Sequence, residues 1–169
     1  MVSLRTEPFN LVYQDRVIIK ILAHNLRGWS DAYPLNDEST APKIQSEPLK
    51  MQPTTEGSAT SRSVIEIKWD QIVPPNDGGS AILSYNLYWD RGNGNWINLV
   101  GQTSDYTSLK FSIGNLIVES GSYQFKVRAR NRWGFGPFSN SMTIIASGSP
   151  YKIRNVTTYV EPVRGDVVI

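Results

Sequence analysis

The sequence has no cysteine and a single histidine among its 169 residues. The first absence excludes a disulfide framework and thiolate metal sites. The second leaves His24 without a partner for an acid–base or nucleophilic relay. No run approaches the roughly 18 consecutive apolar residues of a membrane-spanning helix, so no span is expected in this segment. Met1-Val2-Ser3-Leu4-Arg5 leads into no apolar stretch, and no secretory leader is expected. An excess of one charge is also missing: 17 Lys and Arg face 15 Asp and Glu, a net +2 with no basic stripe, which argues against nucleic acid as a partner. The acidic residues are scattered among turns without metal-ligand spacing, and no glycine-rich segment precedes a helical pattern. No metal, cofactor or catalytic residue is expected.

What is present is β-structure and turns. Hydrophobic residues make up 40% and charged residues 19%, the composition of a folded globular chain. Val64-Ile65-Glu66-Ile67-Lys68-Trp69 alternates, which predicts Ile65, Ile67 and Trp69 on a core face and Val64, Glu66 and Lys68 on the other. Tyr85, Leu87 and Trp89 share a face in the same way. From Tyr123 to Arg130 the alternation is cleanest, with Gln124, Lys126, Arg128 and Arg130 as a polar outer row. One wet face and one apolar face describe antiparallel sheets over a core. Pro74-Pro75-Asn76-Asp77-Gly78-Gly79 and Arg91-Gly92-Asn93-Gly94 are turns between strands. Short strands at this spacing predict an all-β sandwich.

The chain also carries one motif twice. Ala23-His24-Asn25-Leu26-Arg27-Gly28-Trp29-Ser30 is echoed 106 residues later by Ala129-Arg130-Asn131-Arg132-Trp133-Gly134-Phe135-Gly136. Pro48-Leu49-Lys50-Met51 is echoed 102 residues later by Pro150-Tyr151-Lys152-Ile153. Repetition at that period predicts tandem domains of about one hundred residues. The expected division is 1–45, the last strands of one domain; 46–148, a complete domain; and 149–169, the first strands of another. Asn25 to Pro48 exceeds Asn131 to Pro150 by four residues, which the polar run from Leu35 to Thr40 is expected to absorb.

From Pro48 to about Ser147 the sequence resembles a fibronectin type III domain. The resemblance rests on Trp69, the loop from Pro74 to Ile82, Tyr85, Leu116 with Tyr123 seven residues on, and the run from Val127 to Ser139. It implies an immunoglobulin-like β-sandwich of seven strands in two sheets, ordered A-B-E and C′-C-F-G, tandemly repeated. It also implies that Trp69, Tyr85, Leu116 and Tyr123 are structural core, and that the Tyr123 hydroxyl bonds backbone near Leu116 as a tyrosine corner. The Pro-Pro/Asp-Gly-Gly loop is similar to that of long intracellular muscle arrays of this fold.

The functional expectation is a non-catalytic structural segment, a semi-rigid rod in an extracellular, cell-surface or filamentous assembly. Its partners are adjacent domains of the same chain, other proteins or copies of itself. Extracellular or cell-surface placement is favoured, with a cytoskeletal array as the alternative. A second reading is adhesion or ligand binding through Tyr88, Lys126, Arg128 and Arg130 on the sheet face and Trp133 and Phe135 in the loop, the two loop aromatics being favoured for a fixed contact between domains. A third is a spacer in a multidomain enzyme. Asn155-Val156-Thr157 is a glycosylation sequon and marks a candidate N-glycan. Arg164-Gly165-Asp166 spells a cell-attachment tripeptide, but it falls between two expected strands, where Gly-Asp suits a turn.

Overall fold

The computed structural model describes residues 3–32, 34–36 and 39–148, together with the backbone pairing of 159–160 and 167–168. The chain opens with two short strands, β1 (His24–Asn25) and β2 (Gly28–Trp29), which form a hairpin. It continues with β3 (Thr55–Glu56), β4 (Ile65–Lys68), β5 (Ser84–Trp89), β6 (Ile97–Val100), β7 (Lys110–Ile113) and β8 (Ser122–Asn131). The last elements are β9 (Gly134–Phe135), β10 (Met142–Ile145), β11 (Tyr159–Val160) and β12 (Val167–Val168). No described residue is helical.

The central strands form a sandwich. One sheet has the order β3-β4-β7 and the other β10-β8-β5-β6, with β9 folded back on β8. These are the A-B-E and G-F-C-C′ orders that the resemblance implies, and every pairing is antiparallel. Strand β8 is the spine, paired with β5 across six residues from Ser84↔Arg130 to Trp89↔Phe125. Its alternation puts Tyr123, Phe125, Val127 and Ala129 inside. Against them pack Tyr85, Leu87 and Trp89 from β5, Ile65 and Ile67 from β4, and Trp69 just beyond it. Each large apolar side chain buried in this way contributes about 1.5–3 kcal/mol.

Two expectations about this core change. Leu116 is 59% exposed, and Ile117 packs against the core instead. The corner hydroxyl reaches one residue further still, since the Val118 N–H donates to Tyr123 Oη at 2.9 Å. Glu66, expected on a polar face, is 5% exposed. Its carboxylate accepts the Ala59 N–H at 3.1 Å and lies 3.7 Å from Lys68 Nζ and 3.6 Å from Lys110 Nζ. The neighbouring chain covers it so closely that a Cβ on Gly57 would stand 2.2 Å from Glu66 Oε2.

The leading residues form an antiparallel ribbon rather than two regular strands. Beyond the β1–β2 hairpin, pairing survives as the isolated bridges Lys20↔Leu35 and Arg16↔Lys43. Those bridges enclose four residue steps on one strand and eight on the other, so the four extra residues lie between Leu35 and Lys43. Asn36 repairs the break: its Oδ1 accepts the Ile19 N–H and its Nδ2 donates to the Val17 carbonyl, both at 2.8 Å. Ile19, Ile21, Leu22 and Leu35 remain exposed on this ribbon.

Candidate functional site

The residues expected to meet partners fall into two groups that the fold separates. On the outer face of β8, Lys126, Arg128 and Arg130 recur every second residue, and aromatic rings fill the spaces between them. Lys126 Nζ lies 3.9 Å from the centre of the Trp96 ring and 4.8 Å from Phe138. The Arg128 guanidinium lies 4.3 Å from Phe138 and 4.2 Å from Phe135, and Arg130 lies 5.7 Å from Phe135. Tyr88 meets Phe138 edge to face at 5.1 Å and donates its hydroxyl to Gln102.

The cations of this ladder are occupied. Arg128 Nε donates to Asn86 Oδ1 at 2.9 Å, and Arg130 forms an ion pair with Asp105. Burial pushes the Arg128 guanidinium down from its ordinary range, partly opposed by Tyr88, while leaving it a cation. Half-buried stems, rings on both sides and backbone-ordered partners make the ladder a rib of the sheet. Phe135 belongs to it: the expected loop residue is in strand β9, opposite Arg130.

Trp133 belongs to the second group, a clamp around residues 45–48. Three pieces of chain converge there: the linker itself, the loop at 74–79 and the turn between β8 and β9. The Ser46 N–H donates to the Gly78 carbonyl at 2.9 Å, and the Leu49 N–H to that of Asn76 at 2.8 Å. Asn131, 1% exposed, donates its side-chain amide to the carbonyls of Ser46 at 2.7 Å and Asp77 at 2.9 Å. Its Oδ1 accepts the Trp133 N–H at 2.8 Å, which shapes the turn. Trp133 Nε1 then donates to Gln45 Oε1 at 3.0 Å, and Gln45 Nε2 donates to the Gly79 carbonyl.

Glycine is required where these pieces touch. Gly78 has φ +74°, and a Cβ there would stand 2.2 Å from the Ser46 carbonyl oxygen. A Cβ on Gly136 would stand 2.2 Å from that of Pro48. The leading ribbon is tied to the same junction. Gln14 and Ile44 exchange bonds with the linker through Gln14 N–H to the Ile44 carbonyl and Ile44 N–H to that of Asp15. The Tyr13 hydroxyl donates to the Pro75 carbonyl on the sandwich side. Buried polar bonds of this kind specify one arrangement, because breaking them strands donors and acceptors away from water.

The repeated motif is repeated in atomic detail. Asn25 Oδ1 accepts the Arg27 N–H at 2.8 Å, as Asn131 Oδ1 accepts that of Trp133. Ser30 N–H bonds the Ala23 carbonyl at 2.8 Å, and Gly136 N–H bonds that of Ala129 at 2.9 Å. The strand partners His24↔Trp29 and Arg130↔Phe135 correspond too. Sequence reasoning used Asn131 as a marker of the repeat but gave no site role to it, to Gln45 or to Ser46. The shared Asn of the two motif copies was the available signal.

Asn155 and Arg164-Gly165-Asp166 lie outside the described residues. Among the described residues, no group of three or more His, Cys, Asp or Glu side chains is placed to hold a metal ion, and no helix is long and apolar enough to cross a membrane.

No protein-family model matches the chain. Solved structures do resemble it. The sixth fibronectin type III domain of human fibronectin type III domain containing protein 3 aligns with a TM-score of 0.51 at 19% identity, covering 65% of this chain and 95% of that one. A fourth fibronectin type III domain of a human protein aligns with a TM-score of 0.52 at 17% identity, covering 66% and 88%. At these identities the likeness shows the fold, and the fold is the fibronectin type III sandwich expected from Trp69, Tyr123 and the Pro-Gly-Gly loop.

Proposed function

We propose that this chain is a non-catalytic structural segment of a tandem fibronectin type III protein, in which a clamped linker holds successive sandwiches at a fixed angle. The carrying observation is the junction at 45–48, where the Asn131 amide binds both the linker and the loop that it crosses. A linker meant to swivel would be left solvated. This one has Ser46 and Pro48 buried and carbonyls seated against Gly78 and Gly136.

The leading ribbon supports the tandem reading. Its hairpin reproduces the β8–β9 turn of the central sandwich, and its exposed Ile19, Ile21 and Leu35 are what the last strands of a sandwich present to the rest of their domain. We assign 1–45 to the end of a preceding domain, 46–148 to a complete one and 149–169 to the start of another. The pairing of β11 with β12 suits first strands of that following domain.

Partners on this reading are neighbouring domains, with protein binding or self-assembly at the surface. The aromatic ladder acts as a stiffening rib, since Arg128 and Arg130 already have polar partners. Placement outside the cell or at its surface rests on the Asn155 sequon, and a cytoskeletal array is the alternative. Intact mass of the native protein separates them: glycan mass at Asn155 supports the first, and its absence from every copy favours the second.

Small-angle scattering tests the function itself. The wild-type chain should give the profile of one rigid, elongated particle. Asn131→Ala with Trp133→Ala should broaden it toward a flexibly joined pair. A wild-type profile that already requires many junction angles would overturn the rod.

A further inference from the structure

The clamp leaves a cleft open on one side of the junction. Leu4 and Arg5 from the leading segment, Pro42, Lys43 and Ile44 from the linker region, and Trp133 enclose about 570 Å³ with Ser3 and Gln45. That volume lies in the range, roughly 300–1,000 Å³, of pockets that accept small ligands or large side chains. Leu4, Pro42, Ile44 and the Trp133 ring make an apolar lining. Trp133 remains 44% exposed although its indole N–H is fixed on Gln45. A ring already held in place loses little freedom when something covers it.

The rim is cationic. Arg5 and Lys43 line the opening, and the Arg132 guanidinium lies 4.9 Å from the centre of the Trp133 ring. Among the described residues, Glu47 is the one carboxylate paired with these cations, reaching Arg5 only at 4.0 Å. Lys43 Nζ has no ion pair or hydrogen bond among the described residues. Unlike Arg128 and Arg130 of the β8 ladder, Lys43 and Arg132 have no ion pair or side-chain hydrogen bond among the described residues, and Arg5 has only the long contact with Glu47. An apolar cleft edged by cations selects an apolar residue flanked by carboxylates and disfavours a basic segment by repulsion.

We propose that this junction cleft binds an extended acidic peptide, with one large apolar side chain against Trp133 and flanking carboxylates on Arg5, Lys43 and Arg132. The proposal rests on the clamped-junction reading, because the cleft takes its walls from both sides of the linker.

The probe is a short fluorescein-labelled peptide with a leucine–phenylalanine centre flanked by glutamates, read by anisotropy against the full chain. Binding should saturate and weaken as salt rises. The double reversal Lys43→Glu with Arg132→Glu leaves every clamp bond in place and should weaken binding by about tenfold or more. Trp133→Ala should abolish it, and a control peptide with lysines for glutamates should not bind. Equal binding of both peptides, or unchanged affinity after the double reversal, would overturn the proposal. So would binding to phosphatidylserine vesicles with none to the peptide, which would make the rim a lipid-headgroup site. Scattering of the same samples keeps the two readings apart. A rigid junction without peptide binding sinks the cleft alone, whereas a flexible wild-type junction sinks the rod.

Discussion

Tyr123 shows how a single atom is placed by its neighbours. Its ring stacks on Trp89 at 5.7 Å while its hydroxyl accepts the Val118 N–H. Tyr123→Phe keeps the ring and removes the bond, so urea unfolding should report a loss of about 1 kcal/mol. Leu116, two positions before Val118 and exposed, should tolerate Leu116→Ala within about 0.5 kcal/mol. A loss comparable to that of a core leucine would restore it to the interior. Glu66 supplies a pH test. The Ala59 N–H holds its carboxyl below the ordinary carboxylate range against the opposing cost of burial, with Lys68 and Lys110 adding to the effect. A carboxyl lowered by folding stabilises the fold fully above its unfolded pKa and ceases to do so as pH falls through the folded one. The stability difference between wild type and Glu66→Gln should therefore be largest near neutrality and shrink in acid. A difference that stays constant with pH would show that the charge contributes nothing.

At the scale of elements, period-two alternation is decisive where one face is buried and the other wet. That is why β5 and β8 were legible from Tyr85, Leu87, Trp89 and the Lys126–Arg128–Arg130 row. The same rule misplaced Glu66, because a carboxylate held between two lysine ammonium groups and covered by the chain at Gly57 and Ala59 has no signature in alternation. Phe135 read as loop because the turn of Asn131 to Gly134 is so tight that the returning strand begins at once. The clamp was hard to read for another reason: apart from Gln45 Oε1 and Asn131 Oδ1, its acceptors are backbone carbonyls, which every residue carries. The Asn shared by the two motif copies and Gly78 were the hints to it. Gly78→Ala would set a methyl group against the Ser46 carbonyl, and it should cost about 1–3 kcal/mol. In an NMR spectrum it should also shift the Trp133 indole resonance and speed its exchange. An undisturbed indole would mean that the linker is not seated there. Phe138→Ala, which removes the ring shared by Tyr88, Lys126 and Arg128, should cost about 2 kcal/mol without moving the indole resonance of Trp133.

For the molecule as a whole, these local bonds have a mechanical meaning only if they act together. On the proposed reading, a ribbon with exposed isoleucines, a linker with buried residues and a sandwich with a ring-and-cation outer face act as a serial structure whose angle is set at the junction. The absence of cysteine makes the chain a clean host for site-specific spin labels. We would introduce Leu26→Cys at the exposed tip of the leading hairpin and Asn95→Cys on the exposed β5–β6 turn, then measure the distance between labels by double electron–electron resonance. The account predicts one narrow distance distribution that broadens when Asn131→Ala and Trp133→Ala are added. A broad distribution in the otherwise unaltered chain, or a narrow one indifferent to loss of the clamp, would contradict it.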